Sequence, residues 1–188
     1  MASLSILICT LPQRVHLLRE LLAVLEPQAS RYPDRVEINI HDAGPHMSTG
    51  AKRQALLHGS FGDYVTFIDD DDMVPAYYCD EMLKAIDQEP DCVGINGTMT
   101  TDGHHETIWR LSKDYGNFDK VESNKTVYYR HTNHITAVKR PIALSAGFPD
   151  KSNAEDKYYS DRLILHTEVK IELPMYHYRF STKNKTYK

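Results

Sequence analysis

The sequence predicts an α/β protein built around a mostly parallel sheet. Two observations carry this. Through the first half of the chain, apolar runs short enough to be strands alternate with longer segments of helical periodicity. The first three strand-like runs each end in polar residues, at Thr10, Asp42 and Asp69 to Asp72. In a doubly wound sheet those carboxyl ends share one crevice, and ligands bind there.

Element by element, LSILICT from Leu4 is a continuous apolar run, as in a strand buried on both faces. PQRVHLLRELLAVLEP follows with Val15, Leu18, Leu21, Leu22 and Leu25 at helical spacing and prolines near both ends. RVEINIH alternates and is β-branched, a second strand leading to Asp42. DAGPHMST reads as a turn, GAKRQALLHGS as a helix and YVTFID as the third strand. PAYYCDEMLKAIDQ is a helix that Pro75 opens, and DCVGING a fourth strand. GTMTTDGHHETIWRL reads as a hairpin turning at Asp102-Gly103, the start of a small antiparallel portion. TVYYRHTNHITAVKR is extended, RPIALSAG a short helix, AEDKYYSDRLILH a longer one, and EVKIELPMYHYRF extended again.

A chain of 188 residues is long enough for one domain with a substantial core. Its 41% apolar and 26% charged residues place it with globular proteins, and a net charge of −4 gives no electrostatic reason to expect nucleic acid or membrane as partner. Lys183, Lys185 and Lys188 form a small basic tail. Cys9, Cys79 and Cys92 are odd in number and widely spaced, which fits buried thiols in a reducing compartment. LSILICTL has neither a basic leader nor a cleavage site, and no run approaches the ~20 apolar residues of a membrane span. The expectation is a soluble, cytoplasmic protein with no transmembrane segment.

The run Asp69, Asp70, Asp71, Asp72 needs a partner, since two unit charges about 4 Å apart repel by roughly 4 kcal/mol at an effective dielectric near 20. If strand geometry continued through the run, Asp69 and Asp71 would share one side and Asp70 and Asp72 the other. Two carboxylates on one side can hold a hard cation such as Mg²⁺ or Mn²⁺, which would present positive charge to a diphosphate. An EF-hand is disfavoured, because its Asp-x-Asp-x-Asp-Gly loop with a distant Glu is missing. Asp70-Asp71-Asp72-Met73-Val74 also matches the DxDx(T/V) pattern of haloacid-dehalogenase-type phosphatases, with Asp70 and Asp72 as the acids. There the motif ends the first core strand rather than the third, and no downstream Gly-Asp-x-x-x-Asp loop follows here.

Taken in order, these segments resemble family 2 glycosyltransferases, the inverting nucleotide-sugar enzymes of the GT-A fold. LSILICTLPQR looks like that family's opening strand and turn. HDAGPHMSTGAKRQALLHGSFGDYVTFIDDDD resembles its characteristic block: an Asp after the second strand, a Gly-x-x-Arg helix, a Gly loop and a strand ending in DxD. AGFPDKSNAEDKYYSDRL resembles the later Gly-Phe turn followed by Glu-Asp on a helix. Departures are Thr-Leu-Pro-Gln-Arg for the commoner Thr-Tyr-Asn-Arg-type turn, and Gln54 where Asn usually follows the Arg.

The resemblance implies a single GT-A domain, with residues 1–97 as a nucleotide-sugar-binding half and 98–188 as an acceptor-side half. It implies that Thr10 and Asp42 flank the base, Asp42 suiting the imide N–H of uracil, so that a UDP-sugar is the default donor. Arg53 would hold Asp42 or the nucleotide. Asp69 and Asp70 would contact the donor, and Asp71, with Asp69 and His177, would bind Mn²⁺ or Mg²⁺. Asp156 matches the catalytic base, with Glu155 as the alternative. Trp109, His134 and Arg179 fall on the acceptor side. The acceptor itself stays open among a saccharide, a lipid-linked sugar, a protein or a modified nucleobase. A binding module that kept the crevice but lost the chemistry is the reading from a different class.

Overall fold

The computed structural model describes residues 1–42 and 44–182; Lys183, Lys185 and Lys188 of the basic tail lie outside the described residues. Chain order is β1 (Leu4–Cys9), α1 (Val15–Ala29), β2 (Val36–His41), α2 (Thr49–Gly59), β3 (Tyr64–Phe67), α3 (Tyr78–Ile86), β4 (Cys92–Thr101) and β5 (His104–Leu111). It continues with β6 (Phe118–Glu122), β7 (Lys125–Arg130), β8 (Val138–Lys139), α4 (Arg140–Ala146), α5 (Glu155–Arg162) and β9 (Glu168–Phe180).

All strands join one sheet in the order β2-β1-β3-β8-β4-β5-β7-β6, with β9 also paired to β4. The β2-β1-β3 side is parallel, as are β4–β9 and β5–β7, while β8 and the two hairpins run antiparallel to their neighbours. Helices cover both faces, the α/β architecture that the sequence predicts. On one face Leu18, Leu21 and Leu25 of α1 and Met82, Leu83 and Ile86 of α3 pack with Leu4, Ile6 and Ile8. On the other, Leu56 and Leu57 of α2, Ala143 of α4 and Tyr159 of α5 pack with Leu7, Val65 and Phe67. Both faces of β1 are therefore buried, which is why its sequence shows no polar alternation.

Three local expectations change. The third strand stops at Phe67, two residues before the acidic run, because Asp70 and Asp71 form a turn. The segment Phe118–Arg130 is a hairpin that turns at Ser123 and Asn124, both at positive φ (50° and 63°). Helix α5 ends at Arg162, so Ile164 to His166 lie outside it. The predicted β4–β5 hairpin does turn at Asp102 and Gly103, both at positive φ.

Candidate functional site

The register of the parallel strands assembles the site. Cys9 pairs with His41 and Leu7 with Phe67, so one residue further on β1, and three on β3, Thr10 comes to lie between Asp42 and Asp70. The Thr10 amide donates to the His41 carbonyl at 3.0 Å, and its hydroxyl donates to Asp70 Oδ2 at 2.7 Å. Asp42, the residue directly after β2, is exposed.

The acidic run closes as a turn, with the Asp72 amide donating to the Asp69 carbonyl at 3.1 Å. Asp70 and Asp72 are each 1% exposed, whereas the side chains of Asp69 and Asp71 keep 37% and 25% exposure. The repulsion between them is offset by arginines. Arg14 Nη2 bridges Asp70 Oδ1, at 2.9 Å, and Asp71 Oδ2. Arg53 Nη2 holds Asp69 Oδ1 at 2.9 Å.

The protonation balance of the four carboxyls follows from these surroundings. Burial pushes the Asp70 carboxyl up to about 6, against the pull of the Thr10 hydroxyl and Arg14. Burial also raises Asp72 well above the carboxylate range and raises Asp71, where Arg14 opposes it. At Asp69 burial again favours the neutral form, but the Arg53 guanidinium and the His134 ring outweigh it and hold this carboxyl well below the usual range. The tip is thus balanced by two guanidinium groups together with carboxyls that bind protons more tightly than usual.

Strand β9 fixes the tip from the far end of the chain. Met73 and His177 exchange backbone hydrogen bonds of 3.1 and 2.8 Å. The Tyr176 hydroxyl donates to Asp72 Oδ2 at 2.7 Å and accepts from the Asp69 amide at 3.2 Å. The Arg179 amide donates to Asp72 Oδ1 at 2.7 Å, and its Nε to the Asp71 carbonyl at 2.6 Å. Arg179 Nη1 reaches Glu20 at 2.9 Å. The His177 ring turns to β4 instead, with its nitrogens 3.3 Å from the Thr98 hydroxyl and 3.0 Å from that of Thr100.

Helix α2 carries Arg53 into the site. Ser48 caps it, accepting from the Ala51 amide at 3.1 Å. Gly50 lets it dock against the loop before α5: a Cβ there would sit 1.9 Å from the Pro149 carbonyl oxygen. Arg53 is 4% exposed, and its guanidinium carbon lies 5.9 Å from the centres of both the Phe67 and Phe148 rings. Its Nη1 holds Glu155 Oε1 at 3.1 Å; Asp69 and Glu155 are its ionic partners, and Asp42 is not one of them. Glu155 is 7% exposed and committed to that contact, whereas its neighbour Asp156 lines a cavity. Ala154, just ahead of them at φ +55°, takes a left-handed conformation that costs a non-glycine residue roughly 1–2 kcal/mol and redirects the chain into α5.

That cavity, of about 400 Å³, runs from the tip toward the β5–β7 side. Asp69, Asp72 and Asp156 meet there with Trp109, Tyr128, Tyr176, Tyr178, Arg130 and His134. Trp109 donates from Nε1 to the Thr98 carbonyl at 3.0 Å and meets Tyr176 edge-on at 5.9 Å. Its ring lies over Gly97, where any Cβ would come within 2.1 Å of Cζ2. Trp109 is therefore both core and cavity wall. His134 is 7% exposed, its Nε2 is 3.6 Å from Asp69 Oδ2, and neither ring nitrogen has a hydrogen-bond partner among the described residues.

Among the described residues no three His, Cys, Asp or Glu side chains are drawn into one metal-holding group. The hard oxygens of Asp69 and Asp71 still suit Mg²⁺ or Mn²⁺, which commonly takes one or two carboxylates and fills its remaining positions with phosphate oxygens and water. Sequence reasoning passed over Arg14 and the Tyr176 hydroxyl. The register of β1 against β3 is the signal that would have placed the turn after Thr10 beside Asp70; for Tyr176 the sequence offers no comparable signal.

Residues 19–148 match the sequence profile described as glycosyl transferase family 2. Among solved structures, the chain superposes on residues 1–349 of S. aureus TarS with a TM-score of 0.64 and 14% identity, covering 94% of this chain and 60% of that one. The same fragment in complex with UDP-GlcNAc gives 0.65 and 12% identity, covering 94% and 58%. The longer S. aureus TarS structure gives 0.66 and 14%, covering 94% of this chain and 36% of that one. This chain thus spans about 60% or less of these structures. No curated protein matches it. Among the described residues no helix is long and apolar enough to cross a membrane.

Proposed function

The chain belongs to glycosyl transferase family 2, and from that premise we propose that it transfers a sugar from a nucleotide diphosphate donor to an acceptor hydroxyl with inversion. A UDP-sugar is the default donor, because Asp42 suits uracil and a UDP-GlcNAc complex is among the structures that share the fold. The observation that carries the reading is the shared cavity of Asp69 and Asp156, at the carboxyl ends of the strands.

Thr10 and Asp42 border the base, and Asp69 and Asp71 are the side chains that would hold Mn²⁺ or Mg²⁺. When bound, that ion would supply positive charge against the departing diphosphate. Inversion in a single displacement requires the acceptor hydroxyl to lose its proton as it attacks, and a carboxylate within hydrogen-bond reach takes it. Asp156 is that base in this proposal. Glu155, the alternative, is tied to Arg53, so its task is positioning. The aromatic wall of Trp109, Tyr128 and Tyr178 suits the C–H face of a sugar ring, and His134 borders the same cavity beside Asp69. A phosphatase using Asp70 as nucleophile has less support, since that carboxylate is buried and engaged by Thr10 and Arg14.

Calorimetry with UDP and Mn²⁺, paired with a donor-hydrolysis assay, tests the proposal. Asp71→Ala is expected to lose metal-dependent UDP binding. Asp156→Asn is expected to keep it and lose turnover by about 10²–10⁴-fold. Binding without any hydrolysis or transfer in the wild type would favour the non-catalytic module. No binding of any nucleoside diphosphate, with or without Mn²⁺, would end the reading.

A further inference from the structure

Arg14 stands where a cation is expected. It ends a single 3-10 turn, Pro12–Arg14, directly after β1, and one nitrogen of its guanidinium touches both Asp70 and Asp71. The side chain is 27% exposed, so solvent lies open to it. The two carboxylates it bridges differ in what remains without it. Asp70 keeps the Thr10 hydroxyl, whereas Asp71, a quarter exposed, has Arg14 as its one ion-pair partner among the described residues.

We propose that Arg14 is an exchangeable counter-cation: it occupies Asp71 in the ligand-free protein and gives that carboxylate up to the divalent ion when a diphosphate arrives. This rests on the functional reading above and deepens it. A guanidinium and a divalent cation repel each other, so they cannot share Asp71 at full affinity. A diphosphate offers Arg14 a bidentate replacement partner as good as the carboxylates it leaves. The metal alone therefore binds weakly, because it must first displace Arg14. Metal and diphosphate together bind well, because the arginine has somewhere to go. The coupling is reciprocal: UDP tightens Mn²⁺ binding by the factor by which Mn²⁺ tightens UDP.

The test is titration of Mn²⁺ into the full chain, followed by the electron paramagnetic resonance of the free ion, with and without saturating UDP. Wild type, Arg14→Gln and Arg14→Lys are compared, each checked for folding by circular dichroism. Arg14→Gln is expected to bind Mn²⁺ alone at least tenfold more tightly than wild type, and UDP is expected to improve that affinity by a smaller factor than in wild type. Arg14→Lys keeps the charge without the planar fork and is expected to fall between them; if Arg14→Gln fails to fold, this variant carries the comparison. Mn²⁺ affinity that is unchanged or weaker in Arg14→Gln, while Mn²⁺ and UDP still bind together, overturns the exchange and leaves the transferase reading intact. UDP binding with no Mn²⁺ uptake by any variant overturns both the exchange and the metal assignment.

Discussion

Replacing Arg53 by Met isolates the charge that joins the two acidic parts of the site. Methionine keeps much of the aliphatic bulk between Phe67 and Phe148 and removes the guanidinium. Breaking a buried ion pair by deleting one partner costs about 3–5 kcal/mol, because the other charge stays behind unpaired. Glu155, with a side chain 9% exposed, would be left in that state. Asp69 is 37% exposed, so solvent screens it and it adds little. The expected loss is therefore at the low end, about 3 kcal/mol at neutral pH. With a urea slope of about 2 kcal/mol/M, that moves the unfolding midpoint down by about 1.5 M. Trp109, the only tryptophan, reports the transition by fluorescence, and circular dichroism checks that it is cooperative. The sign of the pH dependence follows from Asp69, whose carboxyl Arg53 holds below its ordinary value; because solvent screens this group, the dependence is small. That stabilisation is present above the unfolded carboxylate range and lost as pH falls through the folded value, so the gap between wild type and Arg53→Met narrows below about pH 4. Adding Glu155→Gln to Arg53→Met removes the stranded charge and is expected to return about 1–3 kcal/mol. A loss under about 1 kcal/mol, or no recovery in the double variant, would refute the reasoning.

Asp70→Asn tests the buried carboxyl at the tip. Its value of about 6 in the fold, against an ordinary 3.8, means that the folded state holds a proton the unfolded chain releases. Wild-type stability should then fall as pH rises from about 4 to about 6, by at most roughly 3 kcal/mol, and Asp70→Asn should be flatter there and more stable at pH 7. Metal-free thermal melts across that window decide it, and overlapping profiles would count against the assignment. Tyr176→Phe removes a hydroxyl shared by Asp72 and the Asp69 amide, for an expected loss of about 1–3 kcal/mol in urea unfolding; a change within error would mean that β9 does not fix the tip. Gly97→Ala places a methyl against Trp109, with an expected cost of about 1–3 kcal/mol and a shifted tryptophan emission. An unshifted spectrum at full stability would show that the ring has room to spare.

What the sequence reveals depends on how far apart the determining residues lie. The apolar run of β1 announces a strand covered on both faces, and helices pack against each. Asp102-Gly103 announces its hairpin, because few residue pairs accept two positive φ angles. Ser123-Asn124 makes a similar turn with no glycine, and β6, exposed along four of its five residues, has no apolar face to betray it. The acidic tip shows the limit most clearly. Strand alternation would assign Asp69 and Asp71 to one side and Asp70 and Asp72 to the other, but only if strand geometry ran through all four, and β3 stops at Phe67. The chain turns there instead, so that Asp69 and Asp72 both reach the cavity while Arg14 spans Asp70 and Asp71. Partners that set this arrangement come from β1's turn and from Tyr176, 107 residues beyond Asp69, and no local pattern records such contacts.

The pair Glu155-Asp156 shows how one buried residue can sort two chemically similar ones. Consecutive helical residues point about 100° apart, so only one of them can face the cavity, and helix geometry alone does not say which. The choice is made from α2. Gly50 lets that helix approach the loop before α5 closely enough for Arg53 to reach Glu155 at 3.1 Å, while its other terminal nitrogen stays on Asp69 at 2.9 Å. Glu155 is spent on neutralising the arginine, and Asp156 is left on the cavity with no comparable ionic partner among the described residues. A carboxylate that must accept a proton from an acceptor hydroxyl gains from this separation, because a bound guanidinium would make it a poorer base. The same argument makes Glu155→Gln and Asp156→Asn unequal. The first disturbs how Arg53 is shared between Glu155 and Asp69, while the second leaves the ion pairs in place and removes the proposed base.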